Sequence, residues 1–230
     1  MNYKEEILKS QRDLKIISMN KNEIITKAKY GPSKLTKIPF KLSEDLVFFV
    51  GAIIGDEHLK KDKLQISIEL TNKELLIYIK NICKQLFNRE FNLGKEIVRE
   101  GKKNSWNMSI DSKSIYLLLK DVFEIPSGKK SNIVKVPRYI KNANKEIKTA
   151  FLKGIFATEG GKRKRGYGLS TASEELWKGL IILFNDINIP VLKDSWVYKK
   201  YKKKYYGLSF RKEYANQVMW ECRSGQTGDV

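Results

Sequence analysis

The chain has 230 residues, 45 Lys plus Arg against 26 Asp plus Glu, and a formal charge of +19. Its length allows one large domain or two small ones on a shared core, and its 41% hydrophobic content excludes global disorder. Two distant cysteines, Cys83 and Cys222, and a single histidine, His58, offer too few donors for a zinc site or a Cys/His or Ser/His catalytic arrangement, which leaves carboxylates and lysines for any enzymatic chemistry.

Residues 1–42 read as an N-terminal extension: a short amphipathic helix over residues 3–14, polar sequence, then GPSKLTKIPF, where Gly31, Pro32 and Pro39 break regular structure. From Ser43 the pattern becomes regular. SEDLVFFVGAIIGDE has a capping serine, acids in the first turn and an almost wholly apolar body, so it predicts a helix buried on nearly all sides. Glu57 and His58 then read as residues of a solvated loop. In KLQISIEL, Leu64, Ile66, Ile68 and Leu70 alternate with Gln65, Ser67 and Glu69, the period of a strand with one buried face. TNKELLIYIKNICKQLF has helical spacing, with Thr71 or Asn72 as its cap; strands at 93–99 and 105–110 form a hairpin, and SKSIYLLLKDVF is a further short helix. Residues 43–125 make a first unit, and the turn-rich stretch 126–144 a connector.

The order then repeats over 145–222. NKEIKTAFLKGIFATEG predicts a second apolar helix, RGYGLS a strand, TASEELWKGLIILFNDI an amphipathic helix, VLKDSWVYK and KYYGLSF a hairpin, and KEYANQVMWEC a last helix; 223–230 read as a flexible tail. Asp56 precedes Glu159 by 103 residues, and Ser109 precedes Ser209 by 100. Two tandem copies of one α+β unit are implied, each opening with its most hydrophobic helix. Gly51 matches Gly154 and Asp56 matches Glu159. Small residues on one helix face allow close backbone approach, so pairing the two helices brings their terminal acids together. Negative charge at a helix C-terminus opposes the macrodipole, and two such carboxylates repel unless a proton, a base or a metal lies between them. Hard divalent cations favour oxygen ligands of this kind, and nucleic-acid phosphates complete their coordination.

The paired motifs FVGAIIGDE and FLKGIFATEG resemble those of LAGLIDADG homing endonucleases, specifically single-chain members with two motif copies, over most of residues 43–222. The resemblance implies a pseudo-twofold pair of αββαββα half-domains whose antiparallel sheets form a DNA-binding saddle. It implies that Asp56 and Glu159 bind Mg²⁺, with Mn²⁺ as an alternative and Ca²⁺ as a non-cleaving substitute, and that Lys162 stabilises charge at the scissile phosphate. The implied function is a site-specific double-strand DNA endonuclease acting at a long asymmetric site. The chain departs from the family in having Glu57 where many members have Gly. Many active members also carry Lys, Arg or Gln near the end of the first strand of each half, where this chain shows Thr71 and Ala172.

The excess positive charge makes best sense against a polyanion. Arg163, Lys164 and Arg165 follow the second motif directly and lead into the strand holding Ser170. The run WVYKKYKKKYYGLSF places Lys199, Lys200, Lys203 and Tyr205 at a hairpin tip suited to tracking a phosphate backbone. Gln65, Ser67, Glu69, Asn107 and Ser109 occupy exposed strand positions suited to reading bases. For 92–99 and 191–199 the alternation is too irregular to assign a face. The expected partner is double-stranded DNA, with intron RNA as a second candidate. With no apolar run of membrane-spanning length and no signal peptide, a cytoplasmic monomer is expected. The alternative function is a catalytically weak or inactive binder on the same fold, an RNA-splicing maturase or a DNA-binding regulator.

Overall fold

The computed structural model describes residues 2–220 apart from 32, 61, 102, 129–131, 165 and 199–201, and gives the backbone alone at 56–58. Two αββαββα units share one continuous hydrophobic core, and each sets four antiparallel strands in an open sheet, the pair of sheets making a saddle. In the first unit, α2 (Glu44–Asp56) runs into β4 (Glu57–Lys60), β5 (Gln65–Leu70), α3 (Lys73–Phe87), β6 (Asn92–Ile97), β7 (Ser105–Asp111) and α4 (Lys113–Leu117), which continues as a π-helical turn over Leu118–Val122. Its strand order is β4-β5-β7-β6. After α5 (Arg138–Lys141) in the connector, the second unit runs α6 (Lys145–Glu159), β8 (Gly161–Arg163), β9 (Gly166–Thr171), α7 (Glu174–Asp186), β10 (Leu192–Tyr198), β11 (Lys203–Arg211) and α8 (Ala215–Val218), with order β10-β11-β9-β8.

Local chemistry sets these elements. The Ser43 hydroxyl accepts from the Leu46 amide at 3.3 Å to start α2, and Asn144 accepts from Ile147 at 3.1 Å to start α6. Of the two candidate caps for α3, Asn72 serves, accepting from Leu75 at 3.1 Å. The strict alternation of β5 buries Ile66, Ile68 and Leu70 and leaves Gln65, Ser67 and Glu69 on the open face.

Three expectations are corrected. Glu57 and His58 lie not in a loop but in β4, which pairs with β5 and sets His58 opposite Ser67. Strands β4 and β8 are therefore the first strands of their halves, and Thr71 and Ala172 follow second strands. Lys60 ends the first strand of the first half and donates from Nζ to the Gln65 side chain at 3.2 Å.

The N-terminal segment is also no loose extension. After α1 (Tyr3–Ser10), β1 (Lys15–Met19), β2 (Glu23–Lys27) and β3 (Thr36–Pro39) form an antiparallel sheet. Ile7, Ile24, Ile38 and Phe40 enter the common core. Buried Gln11 donates to the Ser114 carbonyl at 3.1 Å, and Thr26 and Ser114 share a hydroxyl hydrogen bond of 2.8 Å. On its other side α1 meets the connector, where Glu6 pairs with Arg138 and the Tyr3 ring stands edge-on to Tyr139 at 5.1 Å.

Candidate active site and nucleic-acid interface

Helices α2 and α6 touch through their backbones. A Cβ added to Gly51 would sit 2.4 Å from the Phe151 carbonyl oxygen, and one added to Gly154 would sit 2.1 Å from that of Phe48. No other residue type fits either position without moving a helix. The approach continues to the last turn: a Cβ at Gly55 would meet Thr158 Oγ1 at 1.9 Å and Glu159 Cγ at 3.2 Å. The Glu159 side chain thus lies against the residue preceding Asp56, whose backbone ends α2. Glu159 is exposed at the end of α6. The side chain of Asp56 lies outside the described residues.

This seam sets two acid-bearing helix ends side by side, and each leads directly into an edge strand of its sheet, β4 or β8. Oxygen donors of this type suit a hard divalent cation. Among the described residues, which leave out the side chains of Asp56, Glu57 and His58, no group of three Asp, Glu, His or Cys could hold a metal on its own.

Lys162 and Arg163 leave α6 on opposite faces of β8. Lys162 pairs with Tyr167, whose ring stacks on Phe210 at 6.3 Å, and so belongs to the face turned toward α6. Arg163 pairs with Gly166 on the open face. Its stem crosses Gly168, where a Cβ would come within 3.1 Å, and it donates to Ser170 Oγ at 2.9 Å. The sequence groups these basic residues as one run, and strand alternation separates them. Lys164 is exposed in the turn that follows. Arg165, Lys199 and Lys200 lie outside the described residues.

On the first sheet the open face pairs Gln65 with Asp111, Ser67 with Ser109, and Glu69 with Asn107. Gln65 Nε2 donates to Asp111 Oδ1 at 2.8 Å, and Asn107 lies over Gly94 of β6. Glu69 is bound by Arg99, through a second contact at 3.1 Å as well, and accepts from Ser105 Oγ at 2.7 Å. The Arg99 hydrogen bonds, with Ser105 behind them, hold the Glu69 carboxyl below its usual range. The sequence reading missed Arg99, although an acid on a face meant for a polyanion signals that a basic partner is near.

The second sheet presents a different open face. Leu192, Asp194, Trp196 and Tyr198 of β10 oppose Ser209, Gly207, Tyr205 and Lys203 of β11. Trp196 stacks on Tyr205 at 6.0 Å and 15°, with Lys203 Nζ 5.5 Å from the centroid of the Tyr205 ring. The alternation at 191–199 is illegible because β10 is an edge strand exposed along its whole length. Edge strand β6 defeats the pattern for the same reason.

No protein-family model matches the chain. Among curated relatives it is 30% identical over 186 residues to a probable translation initiation factor IF-2 of Methanocaldococcus jannaschii, covering 77% of this chain and 15% of that protein. It is 29% identical over 176 residues to a DNA polymerase of Thermococcus sp. (strain GE8), covering 70% and 9%. The chain therefore spans 15% or less of the length of these relatives. Among solved structures it is similar to I-DmoI in complex with DNA and Mn, at 16% identity and TM-score 0.55, over 79% of this chain and 99% of that one. The homing endonuclease I-WcaI bound to its DNA recognition sequence gives 18% and 0.50 over 77% and 80%. The N-terminal LAGLIDADG domain of WhiA gives 13% and 0.51 over 80% and 85%.

Proposed function

From the premise that this chain has the LAGLIDADG homing endonuclease fold, we propose that it is a metal-dependent, site-specific endonuclease that cuts both strands of duplex DNA at a long asymmetric site. The observation that carries the reading is the seam itself. Gly51 and Gly154 bring the two motif helices into backbone contact, and Glu159 then packs against the turn that ends in Asp56.

Asp56 and Glu159 hold the metal in this reading, one acid serving each strand. Mg²⁺, or Mn²⁺ in its place, supplies an activated water and charge stabilisation at the leaving oxygen, while Ca²⁺ binds without cleavage. Solved neighbours hold DNA with Mn and with Ca. Lys162, on the face of β8 turned toward α6, adds positive charge where the phosphate turns over. Ser67, Asn107 and Ser109 read base edges, and Gln65 reaches them after exchanging its bond to Asp111. Glu69 acts with Arg99 as a unit rather than as a lone acid. Arg163, Lys164, Ser170, Lys203 and Tyr205 follow the duplex on the second half, together with Arg165, Lys199 and Lys200 from the sequence.

The relatives support a mobile role. A translation factor and a DNA polymerase share no activity, yet each carries a stretch resembling this chain in a small part of its length. What is shared is an embedded segment, as expected of a nuclease that spreads its own coding element, an intron or intein. A second reading, a non-cleaving nucleic-acid binder, is favoured by one observation, the likeness to the WhiA domain.

The test incubates the chain with Mg²⁺ and a library of duplex sites beside Asp56→Asn and Glu159→Gln. Metal-dependent double-strand cuts abolished by either change support the endonuclease. Tight binding without scission in all three proteins favours the second reading, and cleavage indifferent to both changes removes the assigned site.

A further inference from the structure

The N-terminal sheet meets the first saddle sheet at one end, and the junction is a polar cleft of about 260 Å³. Ser33, Lys34, Arg89, Asn92 and Lys113 line it, together with the two acids Glu90 and Asp111. Asn92 opposes Ser109 and Asp111 opposes Gln65, so the cleft opens beside the same face that carries the base-reading positions.

Two features suit an anion there. Residues 27–37, KAKYGPSKLTK, hold four lysines and no acid, and Tyr30 at their centre is 90% exposed. At the floor, Arg89 is half-withdrawn from water and hydrogen-bonds only neutral oxygens, Thr36 Oγ1 at 3.1 Å and the Asp111 carbonyl at 2.8 Å. None of the described ion pairs involves it, and the Asp111 carboxylate, bound to Gln65, favours its charge from beyond contact distance. A partly desolvated guanidinium gains most from a charged oxygen, and phosphate fits its fork. Of the lining acids, Glu90 is already paired with Lys84 at 2.7 Å and Lys80 at 3.9 Å.

The location favours a nucleic-acid backbone over a free anion. A six-residue strand spans roughly 20 Å, whereas the major groove is about 12 Å wide. Strands laid across that groove therefore carry their ends past the bases and onto the flanking phosphates. The cleft sits at such an end, where Lys60, Gln65 and Asp111 come together.

We infer that this cleft, with the adjoining Lys29, Tyr30 and Lys34, binds the phosphate backbone, so that the N-terminal unit extends the duplex footprint beyond the first four-stranded sheet. The inference rests on the duplex-binding reading above. Lys29 and Lys34 make the contacts, Arg89 anchors the phosphate, and Tyr30 covers the neighbouring sugar edge.

The experiment measures binding of the full chain to a labelled duplex of random sequence, long enough to pass both sheets, between about 50 and 200 mM salt. Each lost phosphate contact reduces the slope of log K against log salt by about 0.9. The Lys29→Gln, Lys34→Gln double variant is expected to lower it by about 1.8, and the Lys120→Gln, Lys178→Gln pair, on the helices behind the sheets, to leave it unchanged. Lys203→Gln reports on the saddle. A wild-type slope in the first double variant, with Lys203→Gln still lowering it, overturns the footprint and leaves the saddle standing. Equal losses in both double variants also overturn it, because net charge and not place would then be responsible. No binding by the unaltered chain removes the duplex reading itself.

Discussion

Alanine at Gly154 is the sharpest test of the helix seam. The added methyl would lie 2.1 Å from the Phe48 carbonyl oxygen, 2.9 Å from its carbon and 3.0 Å from the Ala52 amide nitrogen. All three are backbone atoms, so no rotamer change relieves the overlap, and the helices must part by about 1 Å to restore ordinary contact. Parting them loosens Phe151, Ile155 and Val50, which are buried around the seam. Overpacking costs about 1–3 kcal/mol, and backbone neighbours place this case at the upper end. Replacing a helical glycine returns at most about 1 kcal/mol of propensity. The net expectation is a loss of about 2 kcal/mol, which for a chain of this size lowers the melting temperature by about 4–8 °C. Urea titration and thermal melting measure it, with Gly161→Ala as the control, since nothing lies within 4 Å of that position. The control is expected within about 0.5 kcal/mol of the parent. A Gly154→Ala protein as stable as the parent would show that the helices have room to spare, and the account of how the acids are brought together would fail.

Three further outcomes follow from the packing. Removing residues 1–42 strips Ile7, Ile24, Ile38 and Phe40 from the core; at about 1.5–3 kcal/mol each this takes at least 6 kcal/mol from a typical 5–15. Residues 43–230 are therefore expected to show no cooperative melt, and a melt close to that of the full chain would refute the shared core. Glu69 has a lowered folded pKa, so its pairing with Arg99 stabilises above the ordinary carboxylate range and is lost as pH falls through the folded value. Because the pair is exposed, Arg99→Ala should lower the urea midpoint only slightly at neutral pH, and by progressively less as the pH falls below the ordinary carboxylate range; a loss that stays constant as the carboxylates titrate would contradict the pairing. Burial pushes the Cys83 thiol up to about 12, so in a Cys222→Ser background a thiol reagent at mildly alkaline pH should react only after unfolding, as mass spectrometry would record. Rapid labelling of the native chain would deny the burial.

The motif helices and β5 were legible because their patterns are dictated by burial. A nearly all-apolar helix and a strictly alternating strand each permit one placement. Strands β4 and β8 escaped notice because each is only three or four residues long and carries polar or charged residues directly after a helix. The N-terminal sheet escaped for the opposite reason. Its edge strand exposes Ile16, Ile17 and Met19, while Thr26 and Thr36 are buried at hydroxyl hydrogen bonds, so hydrophobicity points the wrong way. At the candidate site, the matching of Asp56 with Glu159 could be read from spacing alone. The division of Lys162 from Arg163 could not, because it depends on a strand too short to show a period.

The contact of Gly51 and Gly154 also bears on how such a chain can diverge. Where two helices meet through side chains, their spacing drifts with every change in side-chain volume. Here backbone rests on backbone, so the distance between the acid-bearing ends is fixed by peptide geometry, which substitutions elsewhere in the core do not alter. The two glycines work as a gauge block: the surrounding sequence can turn over almost completely while the separation at the helix ends is passed on unchanged.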